Sequence, residues 1–479
     1  MLLIALMVVI PLAAAAMAWF YRNNVYRPML LPITATIHLA LLITLLASAP
    51  AVSPHPWIQL DPIGTIFLLE ASLLFAACSF YAVNYLKYRH ERKNRVLCAG
   101  MLVCLSAMTL ASVLQHMGLL WLAIETTTLS MAPLVYFNSN ARSIEATWKY
   151  MLICSIGIAI ALLGLFFLAY STMVAQVEPT MVLAQLRQSA PQLPAIWLNA
   201  AFVFILVGYG TKMGLAPMHT WKPDAYGEAP GLVGAMLAGG LANCGLLGLI
   251  RMFQICIASG DTEFYRTIMV GMGLFSVAVA AIFLLRQTDF KRMLAYSSIE
   301  HMGLFTLALG LGGKAVFGVM LHVIGNGLCK GVLFLTAGNI HRAFASKSRE
   351  SAQGTLKRAP WTGALFLLGF FAMTGSPPFA PFISEYMFIS TAFRQGKYAI
   401  GILIVLLLSV AFLGMLLTIL PIIFGDPSPE RERTKYRDTP MLIGPPLALL
   451  MITALLGMWL PEPLLKIITS AAALLEVPK

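Results

Sequence analysis

The fold is decided by residues 210–219, which read GTKMGLAPMH. They close an apolar segment of about 20 residues, the length that crosses the hydrocarbon core of a bilayer. Lys212 puts a charge inside this segment, where a charge costs about 2.5–3.5 kcal/mol. Glycines on both sides of the lysine and Pro217 behind it predict a broken or kinked helix, whose freed backbone groups can line a wet cavity. The stretch therefore predicts a discontinuous membrane helix beside a buried lysine.

The composition extends this prediction to the whole chain. Of its 479 residues, 59% are hydrophobic and 11% are charged, whereas soluble domains carry about 25% charged residues. The net charge of +12 would favour nucleic-acid binding in a soluble protein. Membrane loops, however, concentrate Lys and Arg on one side of the bilayer. We therefore expect an all-α integral membrane protein in contact with lipid and no nucleic-acid partner.

The cysteines argue against a metal or disulfide site. None of the seven forms a Cys-x-x-Cys pair, and most lie in apolar segments, which disfavours zinc, an iron–sulfur cluster or a disulfide framework. The chain also lacks a Gly-rich phosphate loop after a strand and a haem ligand pair. We therefore expect no cofactor and no metal in this chain.

A scan for apolar segments of membrane-crossing length predicts fourteen helical spans. The apolar N-terminal run counts as a retained first span rather than a signal peptide, because Arg22 and Arg27 follow it instead of preceding it. A short apolar tail, 462–475, could lie along the interface. The spans lie near 2–20, 29–48, 63–86, 96–114, 117–137, 148–173, 195–219, 230–256, 265–287, 292–312, 315–339, 361–391, 398–425 and 441–460.

Loop charge orients these spans. Of the 32 Lys and Arg, 22 fall in or beside the odd-numbered loops and six in or beside the even-numbered ones. A missed or invented helix would mix the two sets. The asymmetry predicts a bacterial-type cytoplasmic membrane protein with cytoplasmic odd-numbered loops and with both termini outside.

Ionisable side chains recur inside the predicted spans. Single residues of this kind can be paired packing elements or can snorkel to the interface, but several on different helices favour a connected polar axis. The set is Glu70, Glu125, Lys212, Glu300, His301, His322, Lys330 and Glu385.

Two spans place such residues in a clear pattern. Glu125 lies about 12 Å from the start of its span, near mid-membrane. In residues 322–330, HVIGNGLCK, the side chains of His322, Asn326 and Lys330 follow at i, i+4 and i+8 and form a polar row on one helix face. Residues 375–385, GSPPFAPFISE, contain three prolines and predict a second broken span.

The broken spans are the seventh and the twelfth, five helices apart. Glu125 and Glu300 lie on the fifth and tenth spans, again five apart. An odd number of helices per unit predicts two inverted five-helix repeats, spans 4–8 and spans 9–13, an arrangement typical of ion pathways. We therefore divide the chain into a three-helix segment (1–95), two repeat units (96–256 and 265–425) and a C-terminal helix with its tail (426–479).

Three stretches of this sequence resemble the antiporter-like subunits of respiratory complex I, Mrp Na⁺/H⁺ antiporters and energy-converting membrane hydrogenases. They are 121–130 (WLAIETTTLS), 211–225 (TKMGLAPMHTWKPDA) and 287–298 (QTDFKRMLAYSS). The match covers about residues 100–390. Within it, 297–303 (SSIEHMG) and 144–150 (IEATWKY) are most similar to the F component of hydrogenase-4 and formate hydrogenlyase-type complexes.

The resemblance implies a proton pathway. Glu125 and Lys212 would form the first half-channel pair, and His322, Lys330 and Glu385 would carry the central axis and the second half-channel. His219, Glu300 and His301 complete the candidate pathway.

Two departures from the family pattern concern the connection between the halves. Many relatives carry a connecting lysine eight residues before an arginine, but here Asn243 stands eight residues before Arg251. The second histidine of the pattern His-x3-His-x3-Lys is Asn326. Either water bridges these connector positions, or the chain conducts protons poorly.

The leading hypothesis is a proton-translocating subunit of a membrane-bound [NiFe]-hydrogenase or a related NADH/quinone-type oxidoreductase complex. Because this chain has no redox machinery, its partners would be the other membrane and hydrophilic subunits of that complex, where the redox chemistry occurs. The alternatives are an Mrp-type Na⁺/H⁺ antiporter subunit, with Na⁺ as the coupled ion, and a membrane scaffold that has lost conduction.

Overall fold

The computed structural model describes residues 1–48, 55–89, 91–426, 434 and 436–476, and within these ranges the regular secondary structure is helical. The α-helices of the first half of the chain are α1 (Leu2–Phe20), α2 (Leu30–Ala47), α3 (Pro62–Lys87), α4 (Arg95–Val113), α5 (Met117–Val135), α6 (Ala141–Val174), α7 (Leu183–Ser189), α8 (Ala195–Met213), α9 (Trp221–Glu228), α10 (Gly231–Ala235) and α11 (Ala242–Ala258).

The second half of the chain contributes nine further helices. They are α12 (Glu263–Leu284), α13 (Phe290–Leu311), α14 (Lys314–Phe344), α15 (Thr355–Arg358), α16 (Pro360–Met373), α17 (Ala380–Arg394), α18 (Tyr398–Phe424), α19 (Pro440–Met458) and α20 (Glu462–Ala473). The all-α prediction is therefore confirmed, and α20 occupies most of the predicted tail.

Twelve described helices are long and apolar enough to cross a membrane, against fourteen predicted spans. The predicted span 292–312 is helix α13, but the polar residues around Glu300 and His301 lower its hydropathy. The predicted span 361–391 is divided into α16 and α17, each too short to cross alone. Fourteen crossings therefore remain a prediction.

Both predicted helix breaks are present. Helix α8 ends at Met213, and Gly214 follows with a φ of 78°. Helix α16 ends at Met373, and Gly375 follows with a φ of 65°. These left-handed conformations favour glycine because a Cβ would clash with the backbone. Each break also contains a cis X-Pro bond, at Pro217 and at Pro378.

Helix α10 continues into α11 through a π-helical turn, Met236–Leu241. Such turns widen the hydrogen-bonding pattern from i→i+4 to i→i+5 and occur often at functional sites. Every residue from Gly231 to Ile257 is buried inside the protein. It carries the connector position Asn243 immediately after the π-helical turn.

Helix α14 forms the centre of the protein. It packs against α3, α10, α13, α16, α17, α19 and α20, and nearly all its side chains are buried. By contrast, α1, α6 and α18 leave many apolar side chains exposed, as expected for helices that face lipid. The polar row of α14 therefore lies in the protein interior.

An ion pair fixes α3 against α11. Asp61 caps the start of α3 by accepting a hydrogen bond from the backbone nitrogen of Gly64 at 2.9 Å. Its two carboxylate oxygens also accept hydrogen bonds from the Arg251 guanidinium, both at 2.6 Å. Burial would raise the pKa of Asp61, but the charge and hydrogen bonds of Arg251, with the Gly64 N–H, hold that pKa below its usual range.

Two lysines counted among the loop charges lie inside the protein. Lys222 of α9 and Lys291 in the first turn of α13 are both fully buried. Four other basic residues in the charge distribution, Arg431, Arg433, Lys435 and Lys479, lie outside the described residues.

Candidate functional site

The first polar cluster joins α5 to α8. The hydroxyl of Thr128 donates a hydrogen bond to Oε2 of Glu125 at 3.0 Å, and Nζ of Lys212 donates one to the same hydroxyl. Lys212 is 2% exposed, whereas Glu125 is only partly buried. The predicted pair is thus brought together, but through Thr128 rather than by a direct ion pair.

The surroundings of Lys212 suit a cation. Its ammonium lies 5.7 Å from the centroid of the Tyr150 ring, within cation–π range. Lys212 also lies in the last turn of α8, where the carbonyl end of the helix dipole favours positive charge. The side chain passes Gly245 of α11, where an added Cβ would lie 3.3 Å from Cγ of Lys212.

Helix α9 satisfies carbonyl groups that the first break releases. Nζ of Lys222 donates a hydrogen bond to the carbonyl oxygen of Met213 at 2.5 Å, and Nε1 of Trp221 donates one to that of Thr211 at 2.9 Å. Lys222 was counted as a loop charge, so its place in the site was missed. The signal that could have found it is the break itself, which leaves carbonyls in need of donors.

A second missed lysine binds the segment before α10. Nζ of Lys291 donates a hydrogen bond to the carbonyl oxygen of Ala229 at 2.9 Å. Like Lys222, it is fully buried and bonded to backbone. The two lysines thus anchor irregular backbone.

His219 lies apart from this cluster. Its ring centroid lies 6.4 Å from that of Phe283 and 6.3 Å from that of Tyr296. Its Nδ1 is buried and has no hydrogen-bond partner among the described residues. A pathway role for His219 therefore remains a prediction.

The second polar cluster surrounds Lys330 of α14. Its ammonium donates hydrogen bonds to Oγ of Ser297 at 2.6 Å and to Sδ of Met373 at 2.9 Å. Ser297 belongs to α13, and Met373 is the last residue of α16, directly before the second break. Lys212 and Lys330 therefore both contact a hydroxyl group, and each lies beside a broken helix.

A chain of imidazoles leads from α13 to α17. Nδ1 of His301 lies 3.0 Å from Nε2 of His322, and Nδ1 of His322 lies 2.5 Å from Oγ of Ser384. Ser384 donates its own proton to the carbonyl oxygen of Pro381 at 2.9 Å. With the Ser384 proton on the Pro381 carbonyl oxygen, Nδ1 of His322 would donate to Ser384 and its Nε2 would accept from His301.

Two buried carboxyl groups flank the row. Oε2 of Glu300 and Oε1 of Glu385 are buried and have no hydrogen-bond partner among the described residues, an arrangement that is costly without water or a cation. Glu385 lies against Gly375 at the second break. One atom each of His301, His322 and Glu385 lies within 4.8 Å of the others, so a metal ion could be held here.

The two connector positions are buried. Asn243 and Asn326 expose almost none of their surface, and both atoms of each amide have no hydrogen-bond partner among the described residues. A connecting role for these two positions therefore remains a prediction.

Comparison with known proteins places this arrangement in a family. Residues 115–412 match the family described as NADH:quinone oxidoreductase/Mrp antiporter, TM. The hydrogenase-4 component F homolog of Methylacidiphilum infernorum is 31% identical over 397 residues, which cover 81% of this chain and 83% of that protein.

Two solved structures share the fold. A chain of the archaeal membrane-bound sulfane sulfur reductase superposes with a TM-score of 0.84 at 22% identity, covering 98% of this chain and 97% of that one. A chain of the Mrp complex from Dietzia sp. DQ12-45-1b superposes with a TM-score of 0.86 at 18% identity, covering 100% and 98%. The protein is accordingly a multi-pass integral membrane protein, and it belongs to the NADH:quinone oxidoreductase/Mrp antiporter transmembrane family.

Proposed function

We propose that this chain is a proton-translocating subunit of a membrane-bound [NiFe]-hydrogenase or a related NADH/quinone-type oxidoreductase complex. The observation that carries the proposal is the hydrogen-bonded row from Glu125 through Thr128 to the buried Lys212. A buried lysine linked to a partly exposed carboxylate is a group whose proton a nearby change of charge can displace.

The first cluster would act as the input. A charge that moves in a neighbouring subunit acts on Glu125, because this carboxylate is partly exposed. When Glu125 is drawn away or neutralised, the Lys212 ammonium loses its stabilising partner and releases its proton. Thr128 would keep the Glu125 carboxylate and the Lys212 ammonium close together, because its hydroxyl hydrogen-bonds both.

The second cluster would act as the output. The neutral amine of Lys330 would accept the proton that the first polar cluster releases. The row from His301 through His322 to Ser384 can pass a proton between neighbouring nitrogens, because each neutral imidazole both accepts and donates. The row ends beside Glu385 at the second break, where the freed backbone can contact water.

The electron-transfer chemistry would take place in partner subunits. The sequence lacks cysteine clusters, phosphate loops and haem ligand pairs, and a hydrogenase-4 component F homolog is a relative over most of the chain. The proposal includes a bacterial cytoplasmic membrane, both termini outside, fourteen crossings and two inverted repeats within the four units given above.

The test begins with affinity purification of the tagged full-length chain from native membranes. We expect hydrogenase or dehydrogenase subunits to co-purify, and membrane vesicles to take up protons when the donor of that complex is supplied. A pH-sensitive dye measures the uptake, and a protonophore is the control. Recovery of small antiporter subunits alone, or electron transfer without proton uptake, would overturn the proposal.

A Na⁺/H⁺ antiporter subunit is the second candidate. It is favoured by buried oxygen atoms on Glu70, Asn243 and Asn326, which have no hydrogen-bond partner among the described residues, since a carboxylate and amide oxygens are ligands that hard cations prefer. Uptake of ²²Na⁺ driven by a pH gradient, in vesicles without electron donor, would establish this function instead.

A further inference from the structure

Three polar side chains from three helices lie deep in the protein without hydrogen-bond partners among the described residues. Glu70 of α3, Asn243 of α11 and Asn326 of α14 are each at most 1% exposed. All six of their side-chain oxygen and nitrogen atoms are buried and have no hydrogen-bond partner among the described residues. We call these three residues the central cluster.

Glycines make room for the Glu70 carboxyl group. A Cβ on Gly327 would collide with Oε1 of Glu70, and a Cβ on Gly239 would lie 3.0 Å from the same atom. Gly327 is the neighbour of Asn326, and Gly239 belongs to the π-helical turn before α11. The Asn243 amide faces the carboxyl group without forming a well-aligned hydrogen bond. The carboxyl group therefore fills a space that two helices leave open for it.

Two members of the central cluster are near neighbours, along their own helices, of residues that belong to the two polar clusters. On the first side, Asn243 precedes by two residues Gly245, the residue against which the Lys212 side chain packs. On the second side, Asn326 is one helical turn before Lys330 on the same face of α14. Glu70 is the member of the cluster that can gain or lose a proton.

The ion pair at the start of α3 sets the depth of Glu70. Glu70 follows Asp61 by nine residues, about 13.5 Å along the helix. Asn243 precedes Arg251 by eight residues, about 12 Å along α11. Because Asp61 binds Arg251, the two helices place Glu70 and Asn243 at the same level.

Buried polar atoms without a protein partner are normally satisfied by ordered water. Two amides and one carboxyl group supply several donors and acceptors, which is enough to hold a short row of water molecules. Other titratable groups on α3, α4, α11 and α14 are buried as well, and they include the thiols of Cys78, Cys104, Cys244 and Cys329, the imidazole of His322 and the ammonium of Lys330. A thiol is a poor relay beside a carboxyl group.

We propose that Glu70 is the titratable connector between the two halves and stands in for the lysine that relatives carry at position 243. The Lys212 ammonium gives a proton through water to the Glu70 carboxylate, leaving a neutral amine and a carboxylic acid. That acid then gives the proton to the neutral Lys330 amine, restoring the carboxylate and forming an ammonium. The net result is one proton moved and no change in charge.

This inference rests on the proposed function, and its test separates the two. Glu70→Gln keeps the shape of the side chain and removes the acid. In membrane vesicles that contain the intact complex, we expect proton uptake per electron to fall about tenfold or more. Ser79→Ala, which removes another buried polar group of α3 that bonds only its own helix, is the matched control and should transport as the wild type does.

A double variant distinguishes a relay from a structural role. Glu70→Gln with Asn243→Lys returns a titratable group to the cluster, and we expect it to recover a measurable part of the lost uptake. If uptake stays low although the complex is fully assembled, the relay role is overturned. Should Glu70→Gln fail to assemble, Glu70→Asp decides: a shifted protonated-carboxyl band in infrared difference spectra during turnover supports the relay, and an unchanged spectrum overturns it.

Measuring Glu125→Gln in parallel distinguishes a failure of the Glu70 relay from a failure of the proposed function. Normal uptake in Glu70→Gln with reduced uptake in Glu125→Gln would overturn only the connector. Normal uptake in both variants would overturn the proposed function as well. Loss of ²²Na⁺ uptake in Glu70→Gln, with normal proton uptake, would identify the central cluster as a sodium site and overturn the relay.

Discussion

The two lysine clusters are built alike and differ in what lies next to them. Lys212 and Lys330 are both buried, both contact a hydroxyl group and both lie beside a broken helix. The first lysine, however, is linked to the partly exposed Glu125, whereas the second has imidazoles and enclosed carboxyl groups as neighbours. Under the proposed function, the first cluster would respond to charge outside the chain and the second would pass protons within it.

Removing either lysine should have the largest effect. We expect Lys212→Met and Lys330→Met each to lower proton uptake per electron by about tenfold or more, because each removes a proton-carrying group. Lys466→Met is the control, since Lys466 is exposed and pairs with Glu462 on α20. A pH-sensitive dye measures the uptake. If uptake stayed normal in one of the two variants, the lysine of that cluster would not carry protons.

The imidazole row should distinguish the second cluster from the first. We expect His322→Gln to lower proton uptake about fivefold, because the glutamine cannot relay a proton between His301 and Ser384. His219→Gln, which alters a histidine outside this row, should have a smaller effect. The reverse order, in the same vesicle assay, would show that the route runs through His219.

The hydroxyl of Thr128 offers a finer test of the first cluster. We expect Thr128→Val to slow proton uptake about threefold, the equivalent of one net hydrogen bond of about 0.5–1 kcal/mol. Thr127→Val is the matched control, because Thr127 is also buried but bonds only the backbone of its own helix. Equal rates in the two variants would mean that Glu125 and Lys212 communicate without Thr128.

The ion pair of α3 should affect stability more than transport. Asp61→Asn leaves the Arg251 charge buried, and we expect unfolding to become easier by about 3 kcal/mol at pH 7. Because the folded-state pKa of Asp61 is lowered, the carboxylate contributes fully above its unfolded pKa of about 4. The contribution fades as the pH falls through the folded value.

Thermal unfolding of the purified complex at several pH values measures this contribution. The gap in Tm between wild type and Asp61→Asn should be constant from pH 7 to about pH 5 and narrow below about pH 4. Glu462→Gln, an exposed carboxylate variant in a surface pair, is the control and should show almost no gap. If the Tm difference widened as the pH fell, the pKa of Asp61 would not be lowered in the folded protein.

Patterns local in the chain predicted much of this site. Glycines and prolines around residues 210–219 and 375–385 marked both breaks, and the i, i+4, i+8 spacing marked the polar row of α14. The link through Thr128 was not foreseen, because a hydroxyl between two charged groups has no signature in sequence spacing. Lys222 was wrongly predicted to lie in a loop, because the residues next to it in the sequence are as polar as those of an ordinary loop.

Contacts between distant segments could not be predicted from one sequence. Glu70 and Gly327 are 257 residues apart, and their contact depends on how α3 packs against α14. The π-helical turn Met236–Leu241 likewise depends on packing, because its Gly and Ala content fits an ordinary helix as well. The family pattern showed that the connecting lysine is missing at Asn243. Glu70, the residue that we propose in its place, lies on another helix.

The Asp61–Arg251 ion pair has a consequence for exchanging segments between relatives. Helix α3 precedes residues 115–412, the part of the chain that matches the family, whereas Arg251 and Asn243 lie within that part. A chimera that takes its first 95 residues from a relative replaces Asp61 and Glu70 together, while Asn243 and Arg251 stay unchanged. The residues at positions 61 and 70 must therefore suit those at 243 and 251, because each pair spans the boundary of the exchanged segment.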